Sequence, residues 1–156
     1  MIRRAVREDI PRLDELLLQV QRIHAEGRPD IFKLGNTKKY TDAELEAILA
    51  DDSRPVFVNE KNGKVLGYAF CIYQETRENE QLHSRRTLYL DDLCVDTESR
   101  GRHIGSELYR HVVRTAKEAG CDSVTLNVWA VNGSAAEFYE RMGMKPLKTT
   151  METILE

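Results

Sequence analysis

Several features that decide the class of a protein are scarce or absent in this sequence of 156 residues. No apolar run approaches the ~18 residues that cross a bilayer, and no apolar signal block follows Met1, so we expect a cytoplasmic protein without a membrane partner. The formal net charge is only −3, which argues against a nucleic-acid partner. The three cysteines (Cys71, Cys94 and Cys121) are odd in number and lie in predicted strands. We therefore expect buried thiols in a reducing compartment, without disulfides.

The sequence also lacks the residue spacings that are typical of metal sites and of the better-known phosphate-binding loops. The four histidines are scattered and show no metal-ligand spacing, so no metal site is predicted. The sequence contains no G-x-x-x-x-G-K-[ST] and no G-x-G-x-x-G. These absences exclude the usual loops for nucleoside triphosphates and for dinucleotides.

What the sequence does contain is typical of one soluble domain over residues 1–156, with 41% hydrophobic and 31% charged residues. Periodicity and turn signals predict an α/β protein with a mixed sheet. The predicted strands are 2–6, 56–58, 65–73, 88–95, 123–128 and 147–154. The predicted helices are 10–24, 41–51, 104–119 and 134–142, and 74–86 is a predicted loop.

The segment 88–105 combines an apolar strand, a polar turn and the start of an amphipathic helix. The first backbone N–H groups of a helix lack partners and carry partial positive charge, so they attract phosphate. Gly101 and Gly105 allow a ligand to approach the backbone closely. Arg100 and Arg102 add formal positive charge. This segment is therefore predicted to bind an anion.

Two blocks of sequence carry a resemblance to a known family. In the first, Leu93-Cys94-Val95 is followed by Arg100-Gly-Arg-His-Ile-Gly105, with His103 where a glycine is usual. In the second, Asn132 precedes Phe138-Tyr139-x-x-x-Gly143. Together they resemble the signatures of the Gcn5-related N-acetyltransferases, the GNAT superfamily, over essentially the whole chain. Residues 90–95 look most like the version found in diamine acetyltransferases.

The resemblance implies a GNAT fold, in which a central mixed sheet is flanked by about four helices and two strands splay apart. It also implies that acetyl-CoA is the co-substrate and lies in the splay, paired with exposed strand backbone. Dimerisation is common on this architecture, so a homodimer is a further expectation. The residues expected to contact acetyl-CoA are Leu93, Cys94, Val95, Arg100, Gly101, Arg102, His103, Ile104, Gly105, Ser106, Asn132 and Tyr139.

The implied reaction moves an acetyl group from a thioester to a primary amine by direct attack. It needs a neutral amine and a proton for the departing thiolate. The resemblance makes Asp91 the candidate general base, acting through water, and Tyr139 the candidate general acid. Strict alternation along the strand places Asp92 on the opposite face from Asp91. The residues sharing the face of Asp91 are then Tyr89, Leu93 and Val95. The alternatives are that the two aspartates are solvated strand-end charges and that Tyr139 is a core tyrosine.

The acceptor site is predicted to include Phe32 and His24, together with Tyr89 on the face of Asp91. Phe32 could instead plug the edge of the core, and His24 could simply favour the C-terminal dipole of its helix. The acceptor stays open among polyamines, protein N-termini, lysine side chains, aminoglycosides and amino acids. The alternative function is a CoA-binding sensor or protein-interaction domain that performs no transfer.

Overall fold

The computed structural model describes residues 1–156 and contains one five-stranded mixed sheet. Its strands are β1 (Ile2–Arg4), β2 (Val56–Lys61), β3 (Lys64–Thr76), β4 (Arg85–Val95) and β5 (Ser123–Thr125). They lie side by side in chain order, and all neighbours are antiparallel except β4 and β5, which are parallel. Asn62 and Gly63 connect β2 to β3 with φ of 53° and 75°, as a tight hairpin turn requires. The predicted mixed sheet is confirmed.

Four helices flank the sheet: α1 (Ile10–Gly27), α2 (Asp42–Leu49), α3 (Ile104–Glu118) and α4 (Gly133–Arg141). The start of α2 is capped by the Thr41 hydroxyl, which accepts the Glu44 N–H at 3.2 Å. The Asn132 side chain caps α4 by accepting the Ala135 N–H at 3.3 Å. None of these helices combines the length and the apolar character that a membrane span requires.

Each face of the sheet carries its own hydrophobic core, because neighbouring strand residues point to opposite sides. The α1–α2 core contains, among others, Leu13, Leu16, Leu45, Val56, Val58, Tyr68, Phe70 and Cys94. The α3 core contains Phe57, Leu66, Ala69, Cys71, Leu88, Leu90, Ile104, Leu108 and Val112, with Phe138 and Tyr139 of α4 packed against it. The sheet is therefore sandwiched between α1 and α2 on one side and α3 on the other.

A β-bulge interrupts β4 at its two aspartates. Cys71 of β3 pairs with Leu90, and the next pair joins Phe70 to Asp92, so that Asp91 is the extra residue. Before the bulge Leu90 belongs to the α3 core, and after it Cys94 belongs to the α1–α2 core. The bulge resets the alternation, so both aspartates project towards the α1–α2 side. The prediction that they lie on opposite faces is wrong, as is the prediction that Leu93 and Val95 share the face of Asp91.

Other predicted boundaries also need correction. Strands β3 and β4 extend into the predicted loop 74–86, because they pair from Thr76↔Arg85 onwards and leave only residues 77–84 as the loop. The fifth strand is only three residues long, and Cys121 lies just before it rather than within it. The predicted strand 147–154 is absent. A strand exists only where its backbone finds a partner, and these residues have none within the chain.

Candidate active site

The parallel pairing of β4 with β5 opens a gap in the sheet. The pairing runs from Thr87↔Ser123 to Tyr89↔Thr125 and ends there, whereas β4 continues to Val95, so the gap lies beside residues 90–95 of β4. Beyond Tyr89, β4 is bonded to β3 on one side only, so every second backbone N–H and C=O faces the gap. The predicted splay is confirmed. Its inner edge, Leu93–Val95, offers unpaired backbone groups to an extended ligand.

The gap leads to the start of α3, where several backbone N–H groups have no partner. The first intrahelical bond is donated by the Glu107 N–H to the His103 carbonyl at 3.0 Å, which leaves the N–H groups of Ile104, Gly105 and Ser106 unused. A Cβ on Gly105 would lie 3.3 Å from Val95 Cγ2, so a glycine keeps this helix start close to the end of β4. Such N–H groups are chemically suited to an anion, and the predicted binding of an anion by these residues stays a prediction.

His103 precedes α3 in a left-handed conformation, with φ of 63°. This region of backbone conformation favours glycine, so a glycine would suit the position better than His103 does. The histidine keeps its backbone in place, and its carbonyl accepts a hydrogen bond from the Ser106 hydroxyl at 3.1 Å. With histidine instead of glycine at position 103, α3 still begins at Ile104, but the backbone of His103 is strained.

A polar network that the sequence analysis missed ties this turn to α1. Asp96, buried directly after β4, accepts hydrogen bonds from the side chains of Arg12 and Gln19. Gln19 also accepts the N–H of Thr97 at 3.2 Å, and Arg12 donates to the Val65 carbonyl at 2.9 Å. Burial works to raise the pKa of Asp96, but the hydrogen bonds from Arg12 and Gln19 bring it below its ordinary value. No local signal connects residues so distant in the chain.

The two aspartates of the bulge have different surroundings. Asp91 accepts the Tyr40 hydroxyl at 2.6 Å and the Lys39 ammonium at 2.9 Å, so its charge is already paired. Asp92 accepts the Tyr68 hydroxyl at 2.8 Å, and no other side chain donates to it. Burial raises the pKa of Asp92 to about 6, against the lowering effects of Tyr68 and Lys39. A pKa of about 6 places the titration of Asp92 close to neutral pH.

Tyr139 lies on α4 beside the α3 core, with its ring centroid 5.1 Å from that of Phe138 and 6.3 Å from that of Tyr109. Its hydroxyl makes no hydrogen bond with any other residue of the chain. Burial, together with the negative charge of Asp92, raises the pKa of Tyr139 above its usual value. The phenol is therefore protonated at neutral pH and free to donate.

Three rings meet where α1 approaches the segment that follows β5. The Phe32 ring lies 4.8 Å from His24 and 5.0 Å from Trp129, edge-on to the latter. Burial, with the charge of Lys39, lowers the pKa of His24, so this ring is neutral. We call His24, Phe32 and Trp129 the aromatic cluster. Two of the predicted acceptor residues are thus in contact with each other.

Tyr89, the third predicted acceptor residue, is not part of the aromatic cluster. Its hydroxyl accepts a hydrogen bond from the Asn127 side chain at 3.2 Å. Asn132, predicted to contact the co-substrate, uses its side-chain oxygen to cap α4 and also accepts the Ser134 hydroxyl at 3.2 Å. The roles of these two residues towards ligands stay predictions.

With this geometry in view, comparison with known proteins decides the family. The model of the Acetyltransferase (GNAT) family matches residues 18–144 of the chain. The chain belongs to the GNAT family. The predicted family and fold are thereby confirmed.

Individual relatives of this GNAT chain agree with the assignment. It is 31% identical over 108 residues to an uncharacterised N-acetyltransferase of Methanocaldococcus jannaschii, a match that covers 69% of this chain and 46% of that protein. It is 36% identical over 62 residues to the thialysine N-epsilon-acetyltransferase of Sus scrofa, covering 40% of this chain and 36% of that one. The chain therefore spans less than half the length of these curated relatives.

Among solved structures, the BH1408 protein of Bacillus halodurans, in a tetramutant form, superimposes with a TM-score of 0.95. The two sequences are 29% identical, and the match covers 99% of each chain. The GNAT domain described here thus matches a solved chain along nearly its whole length.

Proposed function

We propose that this chain is an acetyl-CoA-dependent N-acetyltransferase that acetylates a primary amine by direct attack on the thioester. The observation that carries the proposal is the gap between β4 and β5, which joins three features. These are the unpaired backbone of β4, the N–H groups without partners at the start of α3, and two titratable side chains, Asp92 and Tyr139. Family membership supports the same conclusion.

Acetyl-CoA fits the residues present. An extended pantetheine chain can pair with the backbone of Leu93–Val95, because that edge of β4 is unpaired. Its diphosphate suits the N–H groups of Ile104, Gly105 and Ser106, with Arg100 and Arg102 nearby in the sequence. When bound, acetyl-CoA supplies the activated acyl group; the protein supplies position and proton transfer.

We assign the general base to Asp92 rather than to Asp91. An ammonium acceptor must lose its proton before it attacks, and Asp92 combines a pKa of about 6 with a hydrogen bond from only one side chain, Tyr68. Asp91, the residue predicted from the sequence, is engaged by Tyr40 and Lys39 and is better suited to position its neighbours. Proton transfer to Asp92 through water completes the step.

The base assignment is tested by the pH dependence of kcat/KM. In the native enzyme kcat/KM should fall below pH of about 6, because Asp92 becomes protonated. Asp92→Asn should lower kcat by about 100-fold and abolish this acid limb. Asp91→Asn serves as the matched control and should preserve the limb. The reverse pattern would return the role of base to Asp91.

Tyr139 is proposed as the general acid that protonates the departing thiolate. Its raised pKa keeps the hydroxyl protonated, and no residue of the chain competes for that proton. Tyr139→Phe should lower kcat by about 100-fold with little change in CoA affinity, since the ring that packs against the α3 core remains. Tyr109→Phe removes a neighbouring buried hydroxyl and should leave kcat unchanged. An unaltered kcat in Tyr139→Phe would refute the role.

The acceptor class is proposed as a small primary amine on an aliphatic chain. The carboxylate of Asp92, whose side-chain partner is the neutral Tyr68, attracts an ammonium group, and the aromatic cluster provides an apolar surface for the rest of the molecule. The name of the thialysine relative points to an amine of the same kind. Thiol release from acetyl-CoA with polyamines, lysine analogues, aminoglycosides and peptides tests this class. Tight CoA binding without release from any amine would instead indicate a CoA-binding sensor.

A reducing compartment, and hence the cytoplasm, is proposed as the place of action. Cys71 and Cys94 are buried and Cys121 is half-buried, and all three are free thiols. Burial raises the pKa of Cys71 and of Cys94 to about 12, which makes both thiols unreactive. Fractionation of cells that produce the native protein tests the location.

A further inference from the structure

Lys38 and Lys39 are neighbours in the chain, but their ammonium groups lie in different places. Lys38 donates to the carboxylates of Asp14 and Asp42, which belong to the helices α1 and α2. Lys39 instead reaches the sheet, where its Nζ atom lies 2.9 Å from Oδ2 of Asp91. Lys39 is thus the amine of this pair that contacts the β-bulge of β4.

The ammonium of Lys39 belongs to the electrostatic surroundings of the candidate active site. Asp91 and Asp92 are consecutive, and the bulge makes both project to the same side of the sheet. Burial raises the pKa of Asp92 to about 6, and the positive charge of Lys39 works against that rise. Burial and the charge of Lys39 together lower the pKa of His24. The field of this ammonium therefore reaches both the proposed base and the aromatic cluster.

The proposed position of the thioester is also close to Lys39. Asp91 precedes Leu93 by two residues, and the pantetheine chain is proposed to pair with the strand edge that begins at Leu93. Two residues of a strand span about 7 Å. The lysine stem is long and flexible, and 44% of the Lys39 side chain is exposed. A short movement away from Asp91 would therefore bring Nζ to the acetyl group.

The segment that carries Lys39 permits such a movement. Residues 33–40, which precede α2, contain no helix or strand and make no backbone–backbone hydrogen bond. Side chains hold this segment in place: the Tyr40 hydroxyl donates to Asp91 at 2.6 Å, and Gln21 donates to the Lys33 carbonyl at 3.0 Å. The ammonium of Lys39 can thus leave Asp91 without breaking any backbone pairing.

We propose that Lys39 is itself an acetyl acceptor, so that the chain modifies its own Lys39 when acetyl-CoA is bound and no outside amine is present. The inference rests on the proposed function, because it uses the same co-substrate, the same base and the same acid. Acetylation would remove the positive charge that faces the two aspartates of the bulge, and with it the ion pair to Asp91.

The transfer uses only groups already assigned to the site. Asp92 takes one proton from the Lys39 ammonium through water. The neutral nitrogen then forms a C–N bond to the acetyl carbonyl carbon while the C–S bond breaks, and the sulfur leaves with the electron pair. Tyr139 gives the sulfur a proton and regains one from the new amide nitrogen. The products are acetylated Lys39, the CoA thiol and one proton, and no oxidant or reductant is needed.

The first experiment incubates the purified native protein with acetyl-CoA at pH of about 7.5, above the pKa of Asp92, and follows its mass. One acetyl group adds about 42 Da. Fragmentation of the peptide 27–44, which a glutamate-specific protease releases, locates the group among Lys33, Lys38 and Lys39. We expect it on Lys39, at a rate independent of protein concentration. An even distribution over the three lysines, or a rate that rises with protein concentration, would overturn the proposal.

Matched variants separate assisted transfer from chemical acetylation. Lys39→Arg keeps the positive charge but should lose the modification, whereas Lys38→Arg should be acetylated at Lys39 at the native rate. Tyr139→Phe should slow the acetylation of Lys39 by about 100-fold, because the departing thiolate loses its proton donor. A native rate in Tyr139→Phe would mean that the site gives no assistance, and it would overturn the proposal.

Thiol release from acetyl-CoA with the panel of free amines distinguishes failure of this inference from failure of the proposed function. Turnover of free amines without any acetyl group on Lys39 would overturn the inference and leave the proposed function standing. The absence of both would overturn both. Acetylation of Lys39 that depends on Tyr139, without turnover of any free amine, would support the inference and refute the proposed small-amine acceptor.

Discussion

The chain up to Ala116 and the chain after it are built in different ways. All 31 buried residues lie between Ala5 and Ala116, and most of them belong to two cores on opposite faces of the sheet. From Lys117 onwards no side chain is fully buried, although β5 and α4 form the outer wall of the gap and carry Tyr139. The first region is stabilised by its own apolar residues. The second is the part that a ligand in the gap would complete.

This contrast has a physical basis in the gap itself. Two strands that diverge cannot pair, so the backbone on both sides of the gap gives up hydrogen bonds that a continuous sheet would have. A site that accepts an extended ligand must leave those groups free. The region that binds is therefore the less stable one, and the paired strands with their two cores compensate for it.

The largest expected effect contrasts a core leucine with one in residues 146–155, which we call the C-terminal arm and which take part in no backbone–backbone hydrogen bond. Leu108 is fully buried in the α3 core, and Leu108→Ala should lower the free energy of unfolding by about 3 kcal/mol because it leaves a cavity. Leu147 is 78% exposed, and Leu147→Ala should cost less than about 0.5 kcal/mol in the dilute single chain. Urea unfolding measures both. Equal costs would show that the two regions do not differ as described.

A smaller effect concerns Asp92 and depends on pH. Its pKa in the folded protein, about 6, lies above the ordinary 3.8, so the folded state holds this proton more tightly than the unfolded chain does. The stability contributed by the protonated Asp92 carboxyl is complete below the pKa of this group in the unfolded chain, and it is lost as the pH rises through about 6. Asp92→Asn, which cannot ionise, should therefore stabilise the fold by about 1–2 kcal/mol at pH of about 7.5.

The control for Asp92→Asn is the same variant at low pH. Near pH of about 3 the carboxyl is mostly protonated in both the folded and the unfolded chain, so the two proteins should unfold at nearly the same urea concentration. Asparagine can still accept the Tyr68 hydroxyl, so packing is preserved. A stabilisation that persists unchanged at low pH would indicate a cause other than ionisation.

The smallest effect tests the boundary between the two regions, at the start of α3. His103 has φ of 63°, and His103→Gly should raise the stability by up to about 1 kcal/mol because it relieves left-handed strain. Arg102→Gly, at the adjacent exposed position where φ is not positive, should instead lower the stability slightly. Thermal unfolding of both variants measures the difference. A loss of stability in both would mean that the His103 side chain contributes more than its strain costs.

Much of the first region could be predicted from the sequence. The Thr41 cap, the Asn62-Gly63 turn and the apolar periodicity of α3 are local signals, and the structure contains each of them. The bulge at Asp91 was missed because an extra residue in β4 depends on its register with β3. The Arg12–Asp96 contact was missed because the two residues lie 84 positions apart.

The second region was predicted less well, for a related reason. The pattern of residues 147–154 is that of a strand, yet a strand forms only when an edge is available, and an edge is a property of the assembled sheet. The same holds for 123–128, where pairing stops at Thr125 because β4 and β5 diverge. Local propensity indicates that these residues favour extended backbone, but it does not indicate which strand they would pair with.

By itself, the sequence determined the family, the order of the four helices and the first five strands, and the helix start that follows β4, because each depends on residues that are close together in the chain. Only the tertiary structure decided that Asp91 and Asp92 share a side of the sheet and have different partners. It also decided that the aromatic cluster comes together and that the C-terminal arm stays unpaired. Register, burial and the choice of partner arise from contacts between distant segments, and no local pattern encodes them.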